Sequence, residues 1–222
     1  IKFAVNVECQ INNIFYGEGA FMKTIRIGGA QGFWGDLNDA PVEMAKKDDV
    51  NYISCDYLAE LTLSIMQRQK ERHPEAGYAR DFIKALREML PMIKEKGIKV
   101  LTNAGGMNVK SAVEAAKNVI KESGYNLKVG YVVGDDVMDV ISDLRKQGIS
   151  MNNMDTGESI DSILPHMVNA NVYYGSEPIV ECLEGGADII IVGRSTDTAL
   201  FLAPLEHEFG WKNGEWNSLA TG

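Results

Sequence analysis

The chain has 222 residues, enough to bury a sizeable core in one domain or two small ones. With 45% hydrophobic and 24% charged residues, its composition is that of an ordinary soluble globular protein. Its 22 lysines and arginines against 31 acids give a net charge of −9, which disfavours a broad basic face for nucleic acid or an anionic membrane.

The first segment, "IKFAVNVECQINNIFYGEGAF", has neither the continuous apolar core nor the small-residue cleavage site of a signal peptide. Met22 opens "MKTIRI", and Gly17-Glu18-Gly19 would be encoded by purine-rich codons like those of a bacterial ribosome-binding site. Residues 1–21 are therefore read as a translated leader or appended segment, the alternative being an N-terminal strand. Residues 22–222 are read as a single α/β domain.

Five short runs rich in β-branched residues, closed by glycine or polar residues, predict buried strands. They are "KTIRIGG" (23–29), "NYISCDY" (51–57), "IKVLTNAG" (98–105), "KVGYVVGDD" (128–136) and "ADIIIVGR" (187–194). Helical patterns separate them. Before "APVEMAKK", Asn38 or Asp39 is a candidate cap, and Pro41 suits a first turn. Phe82, Ile83, Leu86, Met89, Leu90 and Ile93 form an apolar stripe that Pro91 is expected to kink or restart. Val109, Ala112, Val113, Ala116, Val119 and Ile120 form another, with Asn108 as N-cap and Gly124 as stop. Residues 142–175 lack such a period and are expected to form an excursion beside the sheet.

Strands alternating with helices imply parallel pairing and right-handed crossovers. The fold class is thus α/β, a three-layer, open, mainly parallel, Rossmann-like sheet with helices on both faces. In such sheets ligands collect beyond the carboxyl ends of the strands, where helix N-termini present unpaired N–H groups. The polar residues capable of chemistry fall on that edge, among them Asp36, Asp56, Glu60, Asn103, Asp135, Asp136, Arg194, Ser195 and Asp197.

Gly29, Gly32 and Gly35 are spaced by three, which is not G-x-G-x-x-G, and no G-x-x-x-x-G-K-[ST] occurs. Asp56 lies 21 residues after Gly35, where a ribose-binding acid would stand, but a nicotinamide cofactor gains little support from that alone. Asp135 and Asp136 could hold a divalent cation or, with Asp36, act as acid and base; adjacent acids also serve as a helix cap with a solvated neighbour. Arg194 brings a fixed cation and fork geometry to a helix start with Ser195 and Thr196, fitting an anionic ligand; its bland alternative is structural pairing with Asp197 or Asp135.

Cys9, Cys55 and Cys182 are odd in number and far apart, so neither a disulfide framework nor a zinc cluster is suggested, and a reducing cytoplasm fits best. His73, His166 and His207 have no metal spacing, and no apolar run reaches the roughly 18 residues of a membrane helix.

Several long stretches in one order, "RIGGAQGFWGDLNDAPVEMA", "DYLAELTLSIMQRQKERHPEAGYARDF", "LTNAGGMN", "VVGDDV" and "ANVYYGSEPIVECLEGGADIIIVGRSTDTALFLAPLEHEFGW", resemble the acyclic terpene utilization proteins of the AtuA type. The resemblance runs from Met22 to the last residue. It implies a cytoplasmic protein in the breakdown of isoprenoid acids as coenzyme A thioesters, working beside a biotin-dependent acyl-CoA carboxylase. The positions matching its motifs are Gly29, Gly32, Gly35, Asp36, Glu60, Asn103, Gly105, Gly106, Asp135, Asp136, Asn171, Tyr173, Gly175, Arg194 and Asp197. Family members are generally longer, so the chain is read as the N-terminal part of a longer protein. A homo-oligomer is compatible with it.

The expectation is an enzyme or enzyme component acting on an acyl-CoA or related carboxylate. In it the glycine loop and residues 194–197 receive an anionic group, Asp36, Asp135 and Asp136 move protons or hold a cation, and Phe33 and Trp34 wall an apolar tail. The competing expectation is a non-catalytic binding or scaffolding subunit for the carboxylase.

Overall fold

The computed structural model describes residues 3–9, 23–47 and 49–222, the first of these as backbone alone. Six strands form one sheet in the order β1-β2-β3-β4-β6-β5. These are β1 (Phe3–Cys9), β2 (Lys23–Gln31), β3 (Tyr52–Cys55), β4 (Lys99–Thr102), β5 (Val129–Val132) and β6 (Ile189–Val192). All five predicted strands are present and mutually parallel. The sheet is thus mainly parallel, as the strand–helix alternation requires.

β1 adds an antiparallel edge, with Phe3 opposite Gly29 and Cys9 opposite Lys23. It falls within the segment read as a leader. Gly17, Glu18, Gly19 and Met22, on which that reading rested, lie outside the described residues.

The helices are α1 (Ala40–Lys47), α2 (Glu60–Arg72), α3 (Arg80–Lys96), α4 (Val109–Glu122), α5 (Ile141–Lys146), α6 (Glu177–Glu184), α7 (Ala199–Phe209) and α8 (Trp216–Thr221). α4 begins as its sequence dictates, the Asn108 side chain accepting from Ser111 N–H at 3.4 Å. α3 continues through Pro91 without a break. The proline forfeits one ladder bond, but Leu90 and Ile93 on either side are buried in the core, so tertiary packing holds the helix together.

The order of the strands decides which face each helix covers. From β2 to β4 the chain steps one strand at a time, then jumps past β6 to β5 and returns. A reversal of direction with right-handed crossovers moves the helix to the other face. α1, α3 and α4 accordingly share one core with Ile53, Val100 and Ile191, whereas α6 and α7 pack with Ile25, Ile27, Leu101 and Ile190 on the other. β4 and β6 are neighbours whose following helices lie on opposite faces. Their carboxyl ends form the topological switch point, the crevice where open α/β sheets bind ligands.

Candidate functional site

The crevice is closed at its base by backbone. Gly105 N–H, just past β4, donates to the Val192 carbonyl of β6 at 3.2 Å. A Cβ on Gly105 would stand 2.6 Å from that carbonyl oxygen, so the loops meet only because the position is glycine.

Arg194 follows β6 and is 4% exposed. Its Nη1 donates to the Leu58 carbonyl at 3.0 Å and faces Asp197 at 3.3 Å, while Nη2 faces Glu60 at 3.5 Å. The guanidinium lies 4.2 Å over the Tyr173 ring, a cation–π arrangement. Tyr173 in turn donates its hydroxyl to Glu60. That hydrogen bond, with help from Arg194, holds the Glu60 carboxyl below the usual carboxylate range. Nε of Arg194 is buried without a protein partner.

Asp135, past β5, is buried behind Arg194. Its Oδ2 accepts from Arg194 N–H at 2.8 Å and from Asn171 Nδ2 at 2.9 Å. Burial raises its carboxyl above the usual range, and these two donors only partly offset that. Asp56, past β3, is raised in the same way by burial, against hydrogen bonds from Asn103 Nδ2 at 2.6 Å and Leu58 N–H at 3.1 Å. Asn103 also accepts from Tyr57 N–H at 2.7 Å. Two carboxyls with raised proton affinity therefore adjoin residue 194, Asp135 at its backbone N–H and Asp56 within reach of its charge.

The aperiodic excursion supplies the crevice wall. Residues 170–174 bridge Asp136 through Asn171 and Ser195 through Tyr174. A side-chain relay runs from Ser64 on α2 to Asn169 at 2.9 Å, then to Asn171 at 3.0 Å and on to Asp135. The hydroxyls of Tyr174 and Ser195 are buried without protein partners, and burial pushes the Tyr174 phenol up to about 12. Buried unsatisfied polar atoms are costly unless a ligand or water serves them.

Among the residues expected from sequence, the structure brings together Glu60, Asn103, Gly105, Asp135, Asn171, Tyr173, Arg194, Ser195 and Asp197. Asp136 diverges from its neighbour: it is exposed and accepts from Met138 N–H at 3.1 Å. Gly106 adjoins Met66 and the Gly77 carbonyl behind the crevice, and Gly175 adjoins Glu177. Among the described residues, no group of three His, Cys, Asp or Glu side chains is placed to hold a metal ion.

Asp36, Gly29, Gly32 and Gly35 belong to a different place. Gly29 lies in β2 and the other three follow it, four strand positions from β5, or roughly 19 Å at about 4.8 Å per strand. Asp36 accepts from Gly32 N–H at 3.2 Å and Leu37 N–H at 2.8 Å, fastening its own loop. It lines a separate cavity of about 300 Å³ with Asp39 and Glu43. Phe33 is 58% exposed, whereas Trp34 packs on the core and donates Nε1 to Asp81 at 3.4 Å.

The sequence places Asp56 on this edge and offers it as a ribose-binding acid, but it gives no comparable signal for Ser64, Asn169 or Tyr174. The alternation of Asn169, Asn171 and Tyr173 is the period-two signal that could have marked an extended wall.

The family model of the acyclic terpene utilisation family protein AtuA matches residues 25–222. The chain belongs to this family. No curated protein and no solved structure matches it. The matched range contains every residue of the crevice, from Asp56 to Asp197. Its place is therefore in acyclic terpene utilisation, and no helix among the described residues is long and apolar enough to cross a membrane.

Proposed function

We propose that this chain acts in acyclic terpene utilisation as an enzyme or enzyme component, binding the carboxylate or acyl thioester end of its substrate at the β4/β6 crevice. The observation that carries this is Arg194, a buried guanidinium with an unpartnered Nε. Its two acidic companions are exposed: the side chains of Glu60 and Asp197 are 75% and 70% accessible. Both carboxylates can therefore turn to solvent when an acyl oxygen takes their place at the guanidinium.

In this reading Arg194 holds and polarises the acyl oxygen. Asp135 and Asp56, protonated more readily than ordinary carboxyls, give up or take a proton beside it. The family description supports an acyclic terpene skeleton, and the acid would reach the protein in the cytoplasm as its coenzyme A thioester, beside an acyl-CoA carboxylase. The exposed Phe33 favours a second reading, a non-catalytic subunit that docks on that carboxylase.

Calorimetric titration with an acyclic isoprenoid acid and its coenzyme A thioester, with and without Mg²⁺, tests the proposal. Losing a hydrogen bond to a charged group costs about 1.5–3 kcal/mol, so Arg194→Gln should weaken binding at least about tenfold. Unchanged affinity in that variant overturns the reading. Binding without turnover by the wild type favours the subunit reading, and Mg²⁺-dependent binding shows that a cation takes part.

A further inference from the structure

α2 leaves the crevice with one face bare. Glu60, its first residue, faces Arg194 Nη2 at 3.5 Å and accepts from the Tyr173 hydroxyl. Leu63 and Met66 turn into the core, and Ser64 reaches the crevice wall through Asn169. The side away from the core carries Leu61, Ile65, Arg68 and Arg72, whose spacings of four, three and four set them in one line along the helix. All four are exposed, Leu61 at 72%.

The line has an apolar half and a cationic half. Leu61 and Ile65 follow directly on Glu60, whereas Arg68 and Arg72 stand about 12 and about 18 Å from it along the helix axis. Among the described residues no carboxylate pairs with either arginine, and the nearby Glu71 is engaged by Gln67 Nε2 at 3.2 Å. Arg72 suits the negative end of the helix dipole. Arg68, four residues earlier and repelled by Arg72, gains no such support, so a chain of net charge −9 keeps two cations together that its own fold does not pair.

We infer that this face is the track of the carrier arm of an acyl thioester: the arm crosses Leu61 and Ile65, and its phosphate meets Arg68 and Arg72. The thioester end at Arg194 rests on the function proposed above; the phosphate site is the new element. A pantetheine arm joins sulfur to phosphorus through about thirteen bonds, roughly four residues' worth of backbone, and so spans about 15 Å. That reach delivers the phosphate between the two arginines, whose forks match its oxygens. The methyl and methylene groups of the arm meet the aliphatic half. A free acid, lacking the arm, would touch none of the four side chains.

Calorimetric titration with butyryl-coenzyme A and with butyryl-pantetheine, the same ester without phosphate, tests this. An exposed ion pair is worth up to about fivefold in affinity, so two together should make the coenzyme A ester bind about tenfold more tightly. Arg68→Gln/Arg72→Gln, both on an exposed face and clear of the core, should abolish that difference by weakening the coenzyme A ester alone. Arg194→Gln should weaken both esters alike. Butyryl-4′-phosphopantetheine should keep most of the gain, because the arm's own phosphate reaches the pair.

Equal affinity for the two butyryl esters in the wild type, or a preference that survives in Arg68→Gln/Arg72→Gln, overturns the track and leaves the Arg194 reading standing. A gain confined to the coenzyme A ester and absent from the phosphopantetheine ester puts the nucleotide on the arginines and overturns the course drawn for the arm. Esters that Arg194→Gln does not weaken, with the phosphate preference intact, overturn the Arg194 reading and leave the phosphate site. No binding of any of the three esters overturns both.

Discussion

The carboxylate of Asp135 occupies the space where a side chain on Gly193 would have to stand: a Cβ built there would lie 2.3 Å from Oδ1. The glycine at the end of β6 thus exists to admit the acid from the end of β5. Gly193→Ala should destabilise the fold by about 1–3 kcal/mol, as overpacking does, measured by urea unfolding. In an Asp135→Ala background the same change should cost less than about 0.5 kcal/mol. A full penalty in both backgrounds would show that the glycine serves some other contact.

Asp135 also makes stability depend on pH in a direction opposite to that of a salt-bridged acid. Burial raises its folded-state proton affinity, so between its unfolded and folded values the native state binds more protons. Stability then falls as pH climbs through that window, and a tenfold difference in proton affinity is worth about 1.4 kcal/mol. Asp135→Asn keeps an oxygen for Arg194 N–H and Asn171 and removes the titration. Melting curves from about pH 4 to about pH 8 should show the variant gaining on the wild type as pH rises, with Asp56 retaining part of the slope. A variant that loses ground with rising pH would reverse the assignment.

Tyr173 works on Glu60 through its hydroxyl and on Arg194 through its ring. Tyr173→Phe removes the first and keeps the second, so the Glu60 carboxyl should titrate higher, toward its ordinary range, in a carbon-detected NMR titration. Tyr173→Ala removes both and should cost a further ~0.5–1 kcal/mol of cation–π energy. If the Glu60 titration is the same in wild type and Tyr173→Phe, Arg194 alone sets it.

The sheet was legible because its five parallel strands are continuous β-branched runs, and "ADIIIVGR" can hardly be anything else. Legible too was the edge on which the polar residues gather, since parallel topology fixes it. Strand order was not. Nothing in the local pattern says that β6 inserts between β4 and β5, and that insertion is what joins Arg194 to Asp135 and Asn103 while leaving Asp36 on the far side. The wall formed by Asn169, Asn171 and Tyr173 was hidden for another reason. It is held by side-chain relays rather than by a buried stripe, so hydrophobic periodicity is silent about it. Asp135 and Asp136 looked equivalent as neighbours, yet extended backbone turns one into the core and the other to solvent.

Asp36 is the residue whose position most changes what an experiment should show. It caps its own loop through Gly32 and Leu37 N–H groups, and four strand positions separate its strand from that of Asp135. Asp36→Asn retains one acceptor oxygen and loses the other, so the loop should loosen at a cost of about 0.5–2 kcal/mol, the range for a lost capping acceptor. Binding that depends on Arg194 should stay within about twofold, because sites this far apart without shared partners behave independently. Hydrogen exchange at Gly32 and Leu37, read together with ligand titration, separates the two effects. Faster exchange with unchanged affinity fits a loop fastener, and a large loss of affinity would place Asp36 in the working site after all.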